Sequence, residues 1–120
     1  MDELITGGCF CGAIRYQFAA SDYPSANCHC SMCRRISAAA FVSWLVVPKK
    51  DFEYIRGLPK ELKSSAHLER YFCEDCGTPV ACISNKDPDN IDVTICSLDF
   101  PERFTPKLDI YKDSKLSWLK

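Results

Sequence analysis

Seven of the nine cysteines in this 120-residue chain stand in three tight clusters: Cys9-Phe10-Cys11, Cys28-His29-Cys30-Ser31-Met32-Cys33 and Cys73-Glu74-Asp75-Cys76. Thiols one to three residues apart are poor disulfide partners, but all of them can turn onto one metal ion from a tight loop. Zinc takes thiolates at about 2.3 Å in a tetrahedron; structural sites use four protein ligands, whereas catalytic sites use three and leave a position for water or substrate. Seven divides into four and three. Gly77 follows Cys73 and Cys76, and Gly7, Gly8 and Gly12 flank Cys9 and Cys11; the backbone freedom of glycine lets N–H groups face the thiolates. The spacing therefore assigns Cys9, Cys11, Cys73 and Cys76 to a closed structural zinc that staples two distant parts of the chain. Cys28, Cys30 and Cys33 are assigned to a second zinc with an open fourth position. A soft, Lewis-acidic site of this kind points to thiol chemistry, because a substrate thiol completes the tetrahedron as thiolate. Within the chain, His29, Cys82, Cys96, Asp99 and His67 are alternatives for that fourth position, and the site could also be empty of metal.

The elements that must position these clusters read as β throughout. Ile14, Tyr16 and Phe18 alternate with Arg15 and Gln17, which predicts a half-buried strand over 13–18, leaving directly from the first cysteine pair. Residues 34–40 favour a helical turn, and Phe41 to Val47, β-branched and aromatic, a buried strand closed by Pro48. Further strands are predicted over 52–56, 68–73, 79–84 and 91–96, parted by Gly57-Leu58-Pro59 and the turn-rich 85–90. Cys82 and Cys96 fall inside strand patterns, where cysteine acts as a small buried hydrophobe. His29 lies between two proposed ligands, so its side chain is expected to point away from their metal, either supporting it from outside or facing solvent. His67 sits in a polar stretch and is expected at the surface. Arg34 and Arg35 either attract an anionic substrate or form the solvated face of the helical turn.

Composition excludes whole classes. With 47% hydrophobic and 26% charged residues the chain is an ordinary globular one, neither disordered, collagenous nor a coiled coil. The formal charge of -1 offers no field for nucleic acid or an anionic membrane, and seven thiolates with two zinc ions would move it to about -4. The longest apolar stretch, Ala38 to Val47, is about half of the roughly 20 residues that span a bilayer. The first eight residues, MDELITGG, lack a cationic start and an apolar core, so no export signal is expected. A cytoplasmic chain with reduced thiols follows, folded as a single domain over 1–120.

Three runs taken in order, Gly8-Cys9-Phe10-Cys11-Gly12-Ala13-Ile14-Arg15-Tyr16, Cys28-His29-Cys30-Ser31-Met32-Cys33-Arg34-Arg35 and Phe72-Cys73-Glu74-Asp75-Cys76-Gly77-Thr78-Pro79, resemble the glutathione-dependent formaldehyde-activating enzyme family, which also contains centromere protein V. The likeness extends to Ser97-Leu98-Asp99 and to Ser114-Lys115-Leu116-Ser117-Trp118, and so covers nearly the whole chain. It implies a mainly β fold, a β-tent of several small antiparallel sheets stapled by zinc. It further implies a structural zinc on Cys9, Cys11, Cys73 and Cys76 and a second, accessible zinc on Cys28, Cys30 and Cys33, the site of the chemistry. The activity implied is the joining of glutathione to formaldehyde to give S-hydroxymethylglutathione, formally a carbon-sulfur lyase reaction run in reverse. Two features depart from the family: the chain is short beside the namesake enzyme, and Asp109 stands where a histidine is frequent. The resulting expectation is a zinc-dependent carbon-sulfur lyase-type protein that joins glutathione or a related thiol to formaldehyde or another small aldehyde. Small thiols and aldehydes are its expected partners. The competing readings are a non-catalytic, zinc-stapled protein-binding module and a zinc-thiolate sensor of oxidants or aldehydes.

Overall fold

Ten strands run through residues 3–120, the part of the chain that the computed structural model describes, with one α-helix and short 3-10 turns between them. Strands β1 (Leu4–Gly8), β2 (Arg15–Ala19) and β5 (Phe52–Arg56) pair antiparallel in the order β1-β2-β5. A second sheet is built from β3 (Ser25–Cys28), β4 (Val42–Pro48), β6 (Lys60–Lys63), β7 (Leu68–Phe72), β8 (Pro79–Ser84), β9 (Asn90–Thr94) and β10 (Asp109–Ile110), in the order β10-β3-β4-β9-β8-β7-β6. Among the described residues only the short β10–β3 pairing is parallel. The architecture is thus mainly β with antiparallel sheets, as expected, although one sheet grows to seven strands.

Register explains how the larger sheet serves two purposes. Leu45 faces Val93, Val93 faces Ala81 and Ala81 faces Tyr71 across neighbouring strands, so these residues share one side. That side packs with Ile5, Tyr16 and Phe18 of the smaller sheet into the main core. Phe18, 1% exposed, meets the rings of Tyr16, Tyr23, Phe52 and Phe104; burying such a side chain is worth about 1.5–3 kcal/mol. The opposite side carries the row Arg70, Cys82, Asp92 and Val46. There Trp44 and Cys82 pack with Cys28 and Cys33 into a second, smaller cluster.

The helix α1 (Ser31–Ser37) covers that second side. It begins three residues before the turn expected over 34–40, because Cys30 caps it: the Cys30 Sγ accepts from the Cys33 N–H at 3.2 Å. It ends at Ala38, whose φ of 54° is left-handed despite its Cβ, and Ser37 Oγ donates to the Cys33 carbonyl at 2.7 Å. Strand β9 also departs from expectation. It stops at Thr94, whose hydroxyl donates to the Pro79 carbonyl at 2.9 Å, and the chain turns into a 3-10 helix over Ile95–Ser97. Cys96 therefore leaves the sheet and is exposed rather than buried.

Candidate metal centres

The first centre joins two turns. Cys9 and Cys11 lie between β1 and β2, and Cys73 and Cys76 between β7 and β8, with all four sulfurs within 4.8 Å of one another. Cys9 to Cys11 is 3.7 Å and Cys11 to Cys73 is 3.8 Å. The edge of a tetrahedron with zinc–sulfur bonds of 2.3 Å is about 3.8 Å, so the donor set fits zinc. Both turns are knuckles of the same design. Gly12 N–H donates to the Cys9 carbonyl at 3.2 Å and Gly77 N–H to the Cys73 carbonyl at 2.7 Å, each glycine at φ +82°. Ile14 N–H reaches Cys9 Sγ at 3.2 Å. Thr78 clips the two knuckles: its Oγ1 accepts from Phe10 N–H at 3.0 Å and donates to Cys76 Sγ at 3.2 Å. Hydrogen bonds from the Thr78 hydroxyl, the Thr78 N–H and the Cys11 N–H hold the Cys76 thiol down to about 5.

The second centre comes from one segment. Cys28 closes β3, Cys30 caps α1 and Cys33 sits in its first turn, and their three sulfurs lie within 4.8 Å of one another. Cys28 and Cys33 are buried and Cys30 is half-buried. Beside them is a residue that sequence reasoning missed. Arg70, 5% exposed, places Nη1 and Nη2 each 3.6 Å from Cys33 Sγ, while its Nε donates to Ser64 Oγ at 3.0 Å. Hydrogen bonding from Cys28, then Cys30 and the charge of Arg70, holds Cys33 down to about 5 against the cost of burial. Among the described residues Arg70 pairs with no carboxylate. Its counter-charge is the thiolate cluster itself. Three thiolates and one Zn²⁺ carry a net -1, which one guanidinium offsets.

The model of the glutathione-dependent formaldehyde-activating enzyme family matches residues 4–114. The chain belongs to that family. An uncharacterized lyase of Schizosaccharomyces pombe is 30% identical over 84 residues, 68% of this chain and 61% of the relative, so the chain spans about three fifths of that protein's length. A protein of Halomonas elongata that bears the family's name is 21% identical over 126 aligned positions, covering 98% of this chain and 80% of the relative. The crystal structure of a Rhodobacter sphaeroides protein shares the fold, with a TM-score of 0.69 at 20% identity over 87% of this chain and 98% of that one.

Within this formaldehyde-activating enzyme family member, none of the five alternatives for a fourth ligand joins all three sulfurs of the second centre within 4.8 Å. Asp99 is held by Arg15 at 2.5 and 3.0 Å and by Thr6 at 2.6 Å. Cys82 is buried, its thiol pushed up to about 11 by desolvation, as a small core hydrophobe. Cys96 and His67 are exposed. His29 is 2% exposed, which removes the solvent-facing alternative. Its Nε2 meets Asp109 Oδ1 at 2.8 Å, its ring lies 5.1 Å from that of Phe41, and its Nδ1 is buried without a partner. Asp109 therefore anchors His29 and helps to fasten β10 to β3. Arg34 is half-buried, and its Nη1 donates to the carbonyls of His29 and Ser114, which ties the C-terminal segment to the cysteine loop. Arg35 is exposed, as the helix-face reading expected.

Proposed function

We propose that this protein joins a thiol to formaldehyde or another small aldehyde at the second cysteine centre, as a zinc-dependent carbon-sulfur lyase-type enzyme working in the bond-forming direction. The observation that carries the reading is the division of seven sulfurs into a group of four and a group of three that, among the described residues, no further His, Cys, Asp or Glu joins. The names of the relatives, a lyase in one case and a formaldehyde-activating enzyme in the other, support it. Cys28, Cys30 and Cys33 would hold the zinc, which would supply a Lewis acid that favours the thiolate form of a substrate thiol. The chain supplies the rest. Arg70 offsets the negative charge that gathers as thiolates assemble, and burial of Cys28 and Cys33 keeps water from the ligand side. Holding thiol and aldehyde side by side converts a bimolecular addition into a local one. The substrates are small thiols and aldehydes. A cytoplasmic setting, where thiols stay reduced, belongs to the same proposal; no helix of the described residues is long and apolar enough to cross a membrane.

Native mass spectrometry of reduced protein, with and without glutathione, tests the reading. Two zinc ions and a glutathione adduct that disappears in Cys30→Ser are expected. Unchanged thiol-dependent formaldehyde turnover in Cys30→Ser would sink it, and one zinc with no adduct would favour the binding module.

A further inference from the structure

A cavity of about 170 Å³ lies between the two cysteine centres. Cys33 and Ile36 of the α1 side face it, as does Gly77 of the first knuckle, and Val42, Trp44 and Leu62 give it apolar walls. The charged group in its lining is the buried guanidinium of Arg70. Of the five N–H donors of arginine, one on Nε is engaged by Ser64 and one on each terminal nitrogen by Cys33. One donor on each terminal nitrogen is left over. Buried donors favour an acceptor, and the apolar walls favour a hydrocarbon body attached to it.

Size narrows the ligand. An apolar cavity of about 150 Å³ holds a benzene-sized molecule of about six non-hydrogen atoms. Glutathione, with about twenty, can enter only by its thiol end, and formaldehyde, with about two, would leave most of the space empty.

Resting on the proposed thiol-aldehyde chemistry, we infer that this cavity is a carbonyl pocket: it takes a short apolar aldehyde of about four to six non-hydrogen atoms, its oxygen on one of the free N–H groups of Arg70. The carbonyl carbon then lies on the Cys33 side, where the substrate thiol is expected. In the step so framed, the thiol loses its proton to solvent and its sulfur attacks the carbonyl carbon. The carbon-sulfur bond forms as the C=O π pair moves to oxygen, and the resulting alkoxide accepts from Arg70 before taking a proton from water. Arg70 keeps its own proton throughout and acts as an oxyanion donor.

Butyramide, an unreactive isostere of such an aldehyde, tests this on ¹⁵N-labelled, zinc-loaded protein. Saturable shifts of the Arg70 Nε–H and Trp44 Nε1–H resonances are expected, and the affinity read from Trp44 Nε1–H should weaken about tenfold or more in Arg70→Gln and in Leu62→Trp. The second variant fills the cavity from an exposed position of β6 and keeps the test valid if Arg70→Gln fails to hold metal. Butyraldehyde is expected to exceed formaldehyde in kcat/KM with the same thiol, and Leu62→Trp to reverse that order. Formaldehyde turnover with no butyramide shift would overturn the pocket and leave the proposed function standing. Butyramide shifts with no turnover of either aldehyde would uphold the pocket and overturn the proposed function.

Discussion

The two cysteine centres use one residue type for opposite ends. The first draws ligands from turns separated by 62 positions, between Cys11 and Cys73, and neutralises its thiolates with backbone N–H groups and the Thr78 hydroxyl. Among the described residues no arginine hydrogen-bonds to its sulfurs, whereas Arg70 does so at the second centre. The second draws all its ligands from six consecutive residues, places one at the cap of a short helix, and meets a buried guanidinium. A site that ties distant chain segments contributes to folding, because metal binding there is coupled to bringing the segments together. A site contained within one segment adds little of that coupling and is free to leave a coordination position unfilled. In the proposed reading the fold therefore depends on the first centre and the chemistry on the second.

Substitutions can break or sharpen this contrast. The largest effect is expected from Cys73→Ser, which releases one end of the staple: the melting temperature should fall by roughly 10 °C or more, or the protein should fail to fold. Circular dichroism melts check this against Cys30→Ser, which should keep the fold and one zinc. Equal destabilisation by both variants would erase the distinction between the centres. Cys30→Ser should instead lower thiol-dependent aldehyde turnover by about a hundredfold or more, read as kcat/KM over the uncatalysed background.

A smaller effect is expected at Arg70. Arg70→Met leaves the second cluster's negative charge unopposed, so zinc at that centre should bind about 10–100-fold more weakly while the first centre is unchanged. Chelator competition with stepwise zinc counting measures both, and Arg70→Lys should restore part of the affinity by returning the charge without the fork.

The smallest effect is a pH dependence confined to the second side of the large sheet. Burial first, then the charges of Asp87 and Cys33, push the Asp92 carboxyl up to about 6. A folded value above the unfolded one means that the native state holds the proton longer, so stability falls as pH rises from about 4 to about 6 and the penalty persists above that. Asp92→Asn should therefore stabilise the protein by about 1–2 kcal/mol at pH 7 and by little at pH 4. Thermal melts across that range decide it; a gain that does not fade in acid would locate the effect elsewhere.

Much of this was legible before the fold. Alternation and turn residues placed strands over 52–56 and 79–84 with the bounds that β5 and β8 take, and the cysteine spacing grouped the sulfurs as the structure gathers them. The helix start was hidden because cysteine is not among the usual capping residues; only its neighbours in the cluster make Cys30 Sγ an acceptor worth capping with. Cys96 was misplaced because Ile95 and Leu98 continue an apolar pattern through a 3-10 turn in which Cys96 alone faces out. Strands β3, β6 and β10 are short, and β1 ends in Gly7 and Gly8 where apolar side chains would mark a strand, so none of the four left a periodic trace.

The sequence by itself determined what depends on neighbours along the chain: which thiols can share an ion, where glycine must open a knuckle and which residues of a strand share a side. Tertiary structure alone decided what lies across from them. Alternation places Arg70 on the side of Leu68 and Phe72, yet it does not say that α1 covers that side and brings Cys33 to the guanidinium. The same holds for Thr78 beside Phe10 and for Asp109 beside His29, contacts that span 68 and 80 positions. Such partners are set by strand register and sheet order, which many packed side chains determine together and no single stretch of residues records.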